Sequence, residues 1–245
     1  MKIKVIFSAL LLIYSSSNAT ENHPHWGYKG EENPENWGKL SPNYSLCETG
    51  KNQSPVNIHG ALTALNERLN FTFNPGVQEV LNTGYTIQVN TGAGNLLHLD
   101  NDAFTLQQFH FHAPGENEIE GKQYPLEAHF VYKNAQGALA VVALMFREGK
   151  GNPQLDNAWE QIPTEAKKII VLDKAVDIST LIPTQSEYYR FSGSLTTPPC
   201  SEGVRWLVLK DIASVSSGQI NHFRTVISYD NNRPIQPLNG RVIVN

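Results

Sequence analysis

Two nearby segments of this chain alternate with a period of two: residues 105–113 read TLQQFHFHA and residues 126–133 read LEAHFVYK. Successive side chains of a strand point to opposite faces. The first segment therefore turns Gln108, His110 and His112 one way and Phe109 and Phe111 the other. The second turns Glu127, His129 and Val131 together, with Leu126, Ala128 and Phe130 behind. Such segments need a sheet with at least one packed face. Further strand-length runs at 85–90, 138–146 and 204–210 are bounded by Gly, Asn, Asp or Pro, and NAQG at 134–137 reads as a hairpin turn. Helical periodicity is confined to 154–161 and 217–226. The stretch 23–54, rich in Pro, Gly, Asn and Trp, reads as an extended arm wrapping the body. The expected fold class is mainly β (α+β): a single domain with a large twisted, mostly antiparallel central sheet and a few small peripheral helices.

With 245 residues, 40% of them hydrophobic, the chain can bury a sizeable core and is not intrinsically disordered. Its 17% charged content, 18 Gly and 14 Pro exclude a coiled coil. A formal charge of −4 without any Lys/Arg run leaves no footprint for nucleic acid.

Residues 1–19, MKIKVIFSALLLIYSSSNA, have the basic start (Lys2, Lys4), apolar middle and small-residue end of a signal peptide. The expected division is a leader at 1–19 and a catalytic domain at 20–245. The expected location is periplasmic or secreted. No other run approaches the length of a spanning helix, so no membrane insertion is expected. In an oxidising compartment Cys47 and Cys200 can form one disulfide; the other reading is two unpaired buried thiols. A homodimer is compatible with the sequence.

The histidines carry the chemistry. His110 and His112, two residues apart on one strand face, can take adjacent corners of a zinc tetrahedron. If the next strong strand lies alongside, His129 supplies a third nitrogen and leaves a fourth position open, the arrangement of a catalytic Zn²⁺ site. Gln108 and Glu127 can accept the remaining ring N–H groups of His110 and His129 and fix their orientation. H-x-H on a strand also fits surface histidines or a satisfied core pair. Residues 192–202, SGSLTTPPCSE, set two hydroxyls, Thr196 and Thr197, before a stiff Pro-Pro pair, which also fits an ordinary Pro-rich turn.

Taken in order, HWGY (25–28), NQSPVNI (52–58), FHFHAPGE (109–116), LEAHFV (126–131), ALAVV (138–142), SLTTPPCSEGVRW (194–206) and NNRPIQPLNGR (231–241) resemble the alpha-class carbonic anhydrases over essentially the whole mature chain. The resemblance implies zinc-dependent, reversible hydration of carbon dioxide to bicarbonate and a proton by a zinc-bound hydroxide, with zinc on His110, His112 and His129. It puts Thr196 on the threonine that accepts a hydrogen bond from that hydroxide, and Glu116 on the carboxylate that holds the threonine. Val131, Val141, Leu195 and Trp206 match the apolar pocket for carbon dioxide. Thr197 matches a wall residue that helps hold bicarbonate, and Tyr28 a cavity tyrosine that orders water. An esterase side activity follows, because such a hydroxide also attacks activated acyl carbons.

Two departures stand out. NTGYTIQV (82–89) sets Tyr85 where many fast members carry a proton-shuttling histidine. A tyrosine, with an ordinary pKa of about 10, is a poor base for this task. Direct release from a water of pKa about 7 is limited to roughly 10³ s⁻¹, so turnover is expected to depend on external buffer, with His23 or His25 substituting in part if they reach the cavity rim. In PGEN (114–117), Gly115 and Asn117 replace the Ser and His of related bacterial sequences, which puts the stiffness of that loop in question.

Two rival readings differ in class. A cupin-like enzyme would use His110, His112 and Glu116 as metal ligands, but position 104 is Phe where glycine is expected and no second half follows. A catalytically silent binding protein on the same fold would be marked by loss of a ligand histidine, and all three are present. His59, His98 and His222 read as structural or surface residues.

Overall fold

The computed structural model describes residues 25–64 and 66–245. The expected leader at 1–19, its expected junction with the domain at 20–245 and His23 lie outside the described residues. The chain passes through β1 (Asn57–Ile58), β2 (Asn70–Thr72), β3 (Gln78–Asn82), β4 (Ile87–Thr91), β5 (Leu96–Leu99) and β6 (Asp102–His112). It continues through β7 (Glu118–Ile119), β8 (Lys122–Gln123), β9 (Leu126–Asn134) and β10 (Leu139–Glu148). β11 (Ile169–Val171), β12 (Tyr188–Ser194), β13 (Glu202–Leu209) and β14 (Ala213–Val215) complete the strands. Among the described residues eleven of these form one sheet, whose main path runs β11-β3-β4-β6-β9-β10-β13-β12. Within this sheet only β10 pairs in parallel, with β13 and β14, so it is mostly antiparallel as expected; β1, β7 and β8 form a separate small sheet.

The alternation seen in the sequence sets the two faces. Phe109 and Phe111 are fully buried behind the sheet with Phe130, Leu144 and the helices α3 (Pro153–Glu160), α4 (Ile178–Leu181) and α5 (Ser217–Ile227). Each such side chain contributes roughly 1.5–3 kcal/mol by leaving water. A one-residue slip would drive the phenylalanines into the front face and the histidines into the core, so the register is strongly specified. The front face carries a second cluster built around Val141, Ala143, Met145, Trp206 and Val208.

The hairpin at 134–137 forms, with the Asn134 N–H donating to Ala138 O and Gly137 taking φ +86°. Residues 85 and 86 are not strand, contrary to the reading of 85–90. The Thr83 hydroxyl accepts the N–H groups of Tyr85 and Thr86, and Gly84 takes φ +87°, which makes a turn that lifts Tyr85 off the sheet. The arm is also less extended than expected. Its described part, residues 25–54, coils into 3-10 turns at Gly30–Glu32 and Pro42–Tyr44 and into α1 (Trp37–Leu40) and α2 (Leu46–Thr49). It is anchored by the fully buried Trp37, whose indole N–H donates to Gly27 O and Glu32 O. Cys47 and Cys200 form a disulfide that ties α2 to the loop after β12.

Candidate metal centre

β6 and β9 are neighbours whose register sets His110 opposite His129 and His112 opposite Glu127. A bulge in β6 lies between Leu106 and Gln108, before the histidines, so their alternation survives. The three rings converge: one ring nitrogen from each of His110, His112 and His129 lies within 4.8 Å of the others.

The remaining nitrogens are all occupied. His110 Nδ1 lies 2.8 Å from Gln108 Oε1, His112 Nδ1 2.7 Å from the Asn231 carbonyl, and His129 Nε2 2.8 Å from Glu127 Oε1. Each partner is an acceptor, so each of these nitrogens carries the hydrogen. The lone pairs of His110 Nε2, His112 Nε2 and His129 Nδ1 are thereby directed to the point of convergence. Burial holds the protonation of all three rings below the ordinary imidazole value. The positive charges of His112 and His129 add to this for His110, and that of His112 for His129, while at His112 the Asn231 carbonyl and Glu127 oppose it. His112 Nε2 is buried with no hydrogen-bond partner. An orphaned acceptor in a dry site is costly, and three neutral imidazole nitrogens suit zinc with one coordination position open. The residues present fit the metal.

Glu127 ties this centre to the next loop. Its Oε1 also accepts Asn117 Nδ2 at 2.7 Å, and its Oε2 accepts the backbone N–H of Glu116 and of Asn117 at 2.5 and 2.8 Å. Burial pushes its pKa up, and Asn117 and His112 pull it back. A Cβ on Gly115 would sit 3.1 Å from Glu127 Cβ and 3.2 Å from its Oε2, so a small residue suits that close approach. Asn117 Oδ1 also accepts the Val56 N–H, so this departure from related sequences is a buried strut.

Glu116 is fully enclosed. Burial drives its pKa well above the usual carboxylate range, against the Arg233 N–H, the Thr196 hydroxyl and the Arg233 guanidinium, which favour the charged form. Its Oε1 accepts the Arg233 N–H at 2.8 Å, while Oε2 lacks a partner of good hydrogen-bond geometry. Glu116 does not belong to the converging ligand set. Arg233 is itself buried, with hydrogen bonds to Gln53 Oε1, Ser54 O and Cys47 O.

Thr196 is buried on the loop after β12, and Thr197 lines a cavity with Trp26, Tyr28, Tyr85, His110 and His112. Val131, Val141 and Trp206 form one row across β9, β10 and β13, two residues along from His129 and on its face. Leu195 packs on the same cluster, and the Trp206 ring meets His129 edge-on at 4.9 Å. Tyr28 meets Trp37 edge-on, and burial and the nearby Glu116 raise its phenol's pKa. Tyr85 stands at the cavity rim, with its hydroxyl 3.2 Å from His25 Nε2. His59, His98 and His222 are exposed and apart from the site.

Asn231, Asn117 and Arg233 received no role from the sequence. Asn231 and Arg233 stand in the NNRPIQPLNGR run, whose place in the motif order was the only available signal. Asn231 also binds Ala113 N through its side-chain oxygen and Phe111 O through its amide.

Residues 32–245 match the family model described as eukaryotic-type carbonic anhydrase. A carbonic anhydrase of Pectobacterium carotovorum is 58% identical over 244 residues, all of both chains, and one of Neisseria gonorrhoeae is 46% identical over 94% of this chain and 91% of that one. Among solved structures, the alpha-carbonic anhydrase of Thermovibrio ammonificans in complex with the inhibitor sulfanilamide superposes with a TM-score of 0.89. It shares 44% identity, over 91% of this chain and 100% of that one.

Proposed function

This chain belongs to the eukaryotic-type carbonic anhydrase family, and from that premise we propose that it is a zinc enzyme that reversibly hydrates carbon dioxide to bicarbonate and a proton. The observation that carries the reading is the convergence of three ring nitrogens, each ring's other nitrogen being held elsewhere, with the orphaned His112 Nε2 among them.

When bound to these histidines, zinc supplies Lewis acidity that lowers the pKa of a water to about 7, a magnitude established for this enzyme family, and a double positive charge that favours the Glu116 carboxylate. The protein's own residues do the rest. Ionised Glu116 only accepts hydrogen bonds, so the Thr196 hydroxyl donates to it. The Thr196 oxygen is then left to accept from the attacking oxygen, which turns a lone pair toward the substrate carbon. Val131, Val141, Leu195 and Trp206 offer carbon dioxide, which has no charge or dipole, an apolar wall beside the histidines. Thr197 holds the product, and Tyr28, which lines the same cavity, orders water there.

The same arrangement supports a slow esterase side activity. The Cys47–Cys200 disulfide supports export to the periplasm or the exterior, where thiols are oxidised. Among the described residues no helix is long and apolar enough to cross a membrane.

Stopped-flow carbon dioxide hydration tests the reading. The purified protein should be active, lose activity on chelation and regain it with one zinc per chain. A zinc-loaded protein that leaves the hydration rate at its uncatalysed value would overturn it.

A further inference from the structure

The proton made in each turnover must leave the cavity, and Tyr85 occupies the rim. Its ring stacks on Trp26, with centroids 4.2 Å apart and planes at 16°. Two cavities meet at this tyrosine. The inner one is lined by Tyr85 together with His110, His112 and Thr197. The outer one is lined by Tyr85 with His25, Lys29, Glu32, Lys167 and Tyr229. Tyr85 thus borders both the cavity beside the three histidines and the one that holds His25.

On the side of the second cavity stand two titratable side chains. The Tyr85 hydroxyl lies 3.2 Å from His25 Nε2, and His25 Nδ1 lies 3.0 Å from Glu32 Oε2. The negative carboxylate beside Nδ1 favours the tautomer that carries its hydrogen there, which leaves Nε2 as the acceptor that faces the phenol. The imidazole is 69% exposed, and Glu32 is 47% exposed. A contact this open to water adds little to stability, and it leaves the ring accessible to buffer.

We propose that His25, reached through the Tyr85 hydroxyl and oriented by Glu32, is the proton acceptor that carries the product proton from the cavity to solvent. The relay rests on the carbon dioxide hydration proposed above. Cavity water gives a proton to the Tyr85 oxygen as the Tyr85 O–H bond breaks toward His25 Nε2, so the phenol stays neutral throughout. His25 becomes an imidazolium facing the Glu32 carboxylate and then releases one proton to buffer, which restores the neutral ring. Ionisation of Tyr85 is not required. Burial, followed by the charge of Glu32 and by Tyr44, raises its pKa further, which rules against the phenolate as carrier. Imidazole is the side chain that exchanges protons near neutral pH. A histidine on the arm thus does from outside what Tyr85 cannot do by titrating.

The test compares wild type, His25→Ala, Tyr85→Phe and the double variant, all zinc-loaded, in dilute and in concentrated buffer. His25 is exposed, and Phe keeps the ring on Trp26, so the variants retain the fold. In dilute buffer the wild type should exceed the roughly 10³ s⁻¹ that direct release from a water of pKa about 7 allows. Each single variant should fall several-fold, to that ceiling, with kcat/KM unchanged. The double variant should be no slower than either, and added imidazole buffer should restore kcat in all three. A His25→Ala enzyme with wild-type kcat in dilute buffer overturns the relay, as does a wild type already at the ceiling. A parallel loss of kcat/KM that imidazole does not restore also overturns it and assigns the pair to docking the arm. A zinc-loaded wild type inactive toward carbon dioxide overturns the assigned reaction and the relay with it, whereas activity without the kcat pattern overturns the relay alone.

Discussion

Oε1 of Glu127 accepts the Nε2 hydrogen of His129 at 2.8 Å, from two residues earlier on the same strand face. The same carboxylate gathers two backbone N–H groups and the Asn117 amide, so one side chain sets both the tautomer of a candidate ligand and the shape of the loop that carries Glu116.

Replacing Glu127 with Gln keeps the shape but removes the charge and lets an amide face donors. Zinc affinity, measured by competition with a chelator, should weaken about 10–100-fold. Unchanged affinity would deny that Glu127 controls His129.

Thr196→Val keeps the volume and removes the hydroxyl. With Thr196 as the group that orients the nucleophile, kcat/KM for carbon dioxide should fall by roughly 10²–10³ while zinc content stays at one per chain. A variant within a factor of two of wild type would remove Thr196 from the mechanism.

The Cys47–Cys200 bridge spans 153 residues. The double variant Cys47→Ser, Cys200→Ser should lose about 2–5 kcal/mol in urea unfolding. Equal unfolding midpoints under oxidising conditions would show that the arm is held by Trp37 and Arg233 alone.

Asp100 accepts from both terminal nitrogens of Arg190, at 2.8 and 2.5 Å, and this holds its carboxyl below the usual range. A lowered folded pKa means stability that is present above the ordinary value of 3.8 and is lost as the pH falls through the lowered one. The Asp100 side chain is 38% exposed and that of Arg190 31%, so Asp100→Asn should cost only about 0.2–1 kcal/mol at pH 7. That difference should shrink as unfolding is measured below pH 3.8; a gap that widens in acid would refute the assignment.

The histidine face was legible because period-two alternation is local. Once residues 105–113 and 126–133 are strands, His110, His112 and His129 have no choice of side, and the phenylalanines pay for the register. The hydrogen-bond partners divide by distance along the chain. Gln108 and Glu127 sit two residues from their histidines, within reach of the same alternation. Asn231 lies 119 residues from His112, and Asn117 lies 61 from Val56, so no local pattern could pair them. The arm misled for a related reason: its Pro and Gly content signals breaks in regular structure, but its path is set by Trp37, Arg233 and the disulfide.

Alone, the order of residues determined which side chains share a face, the family to which the chain belongs and the identity of the three nitrogen donors, since each follows from short-range covalent geometry or from motif order. Folding in three dimensions decided how those donors are aimed, what holds Glu116, and that His25 meets Tyr85 from 60 residues away. Hydrogen bonds act over about 3 Å of space whatever the separation in chain, so such partnerships exist only once the sheet and its arm have closed around the site.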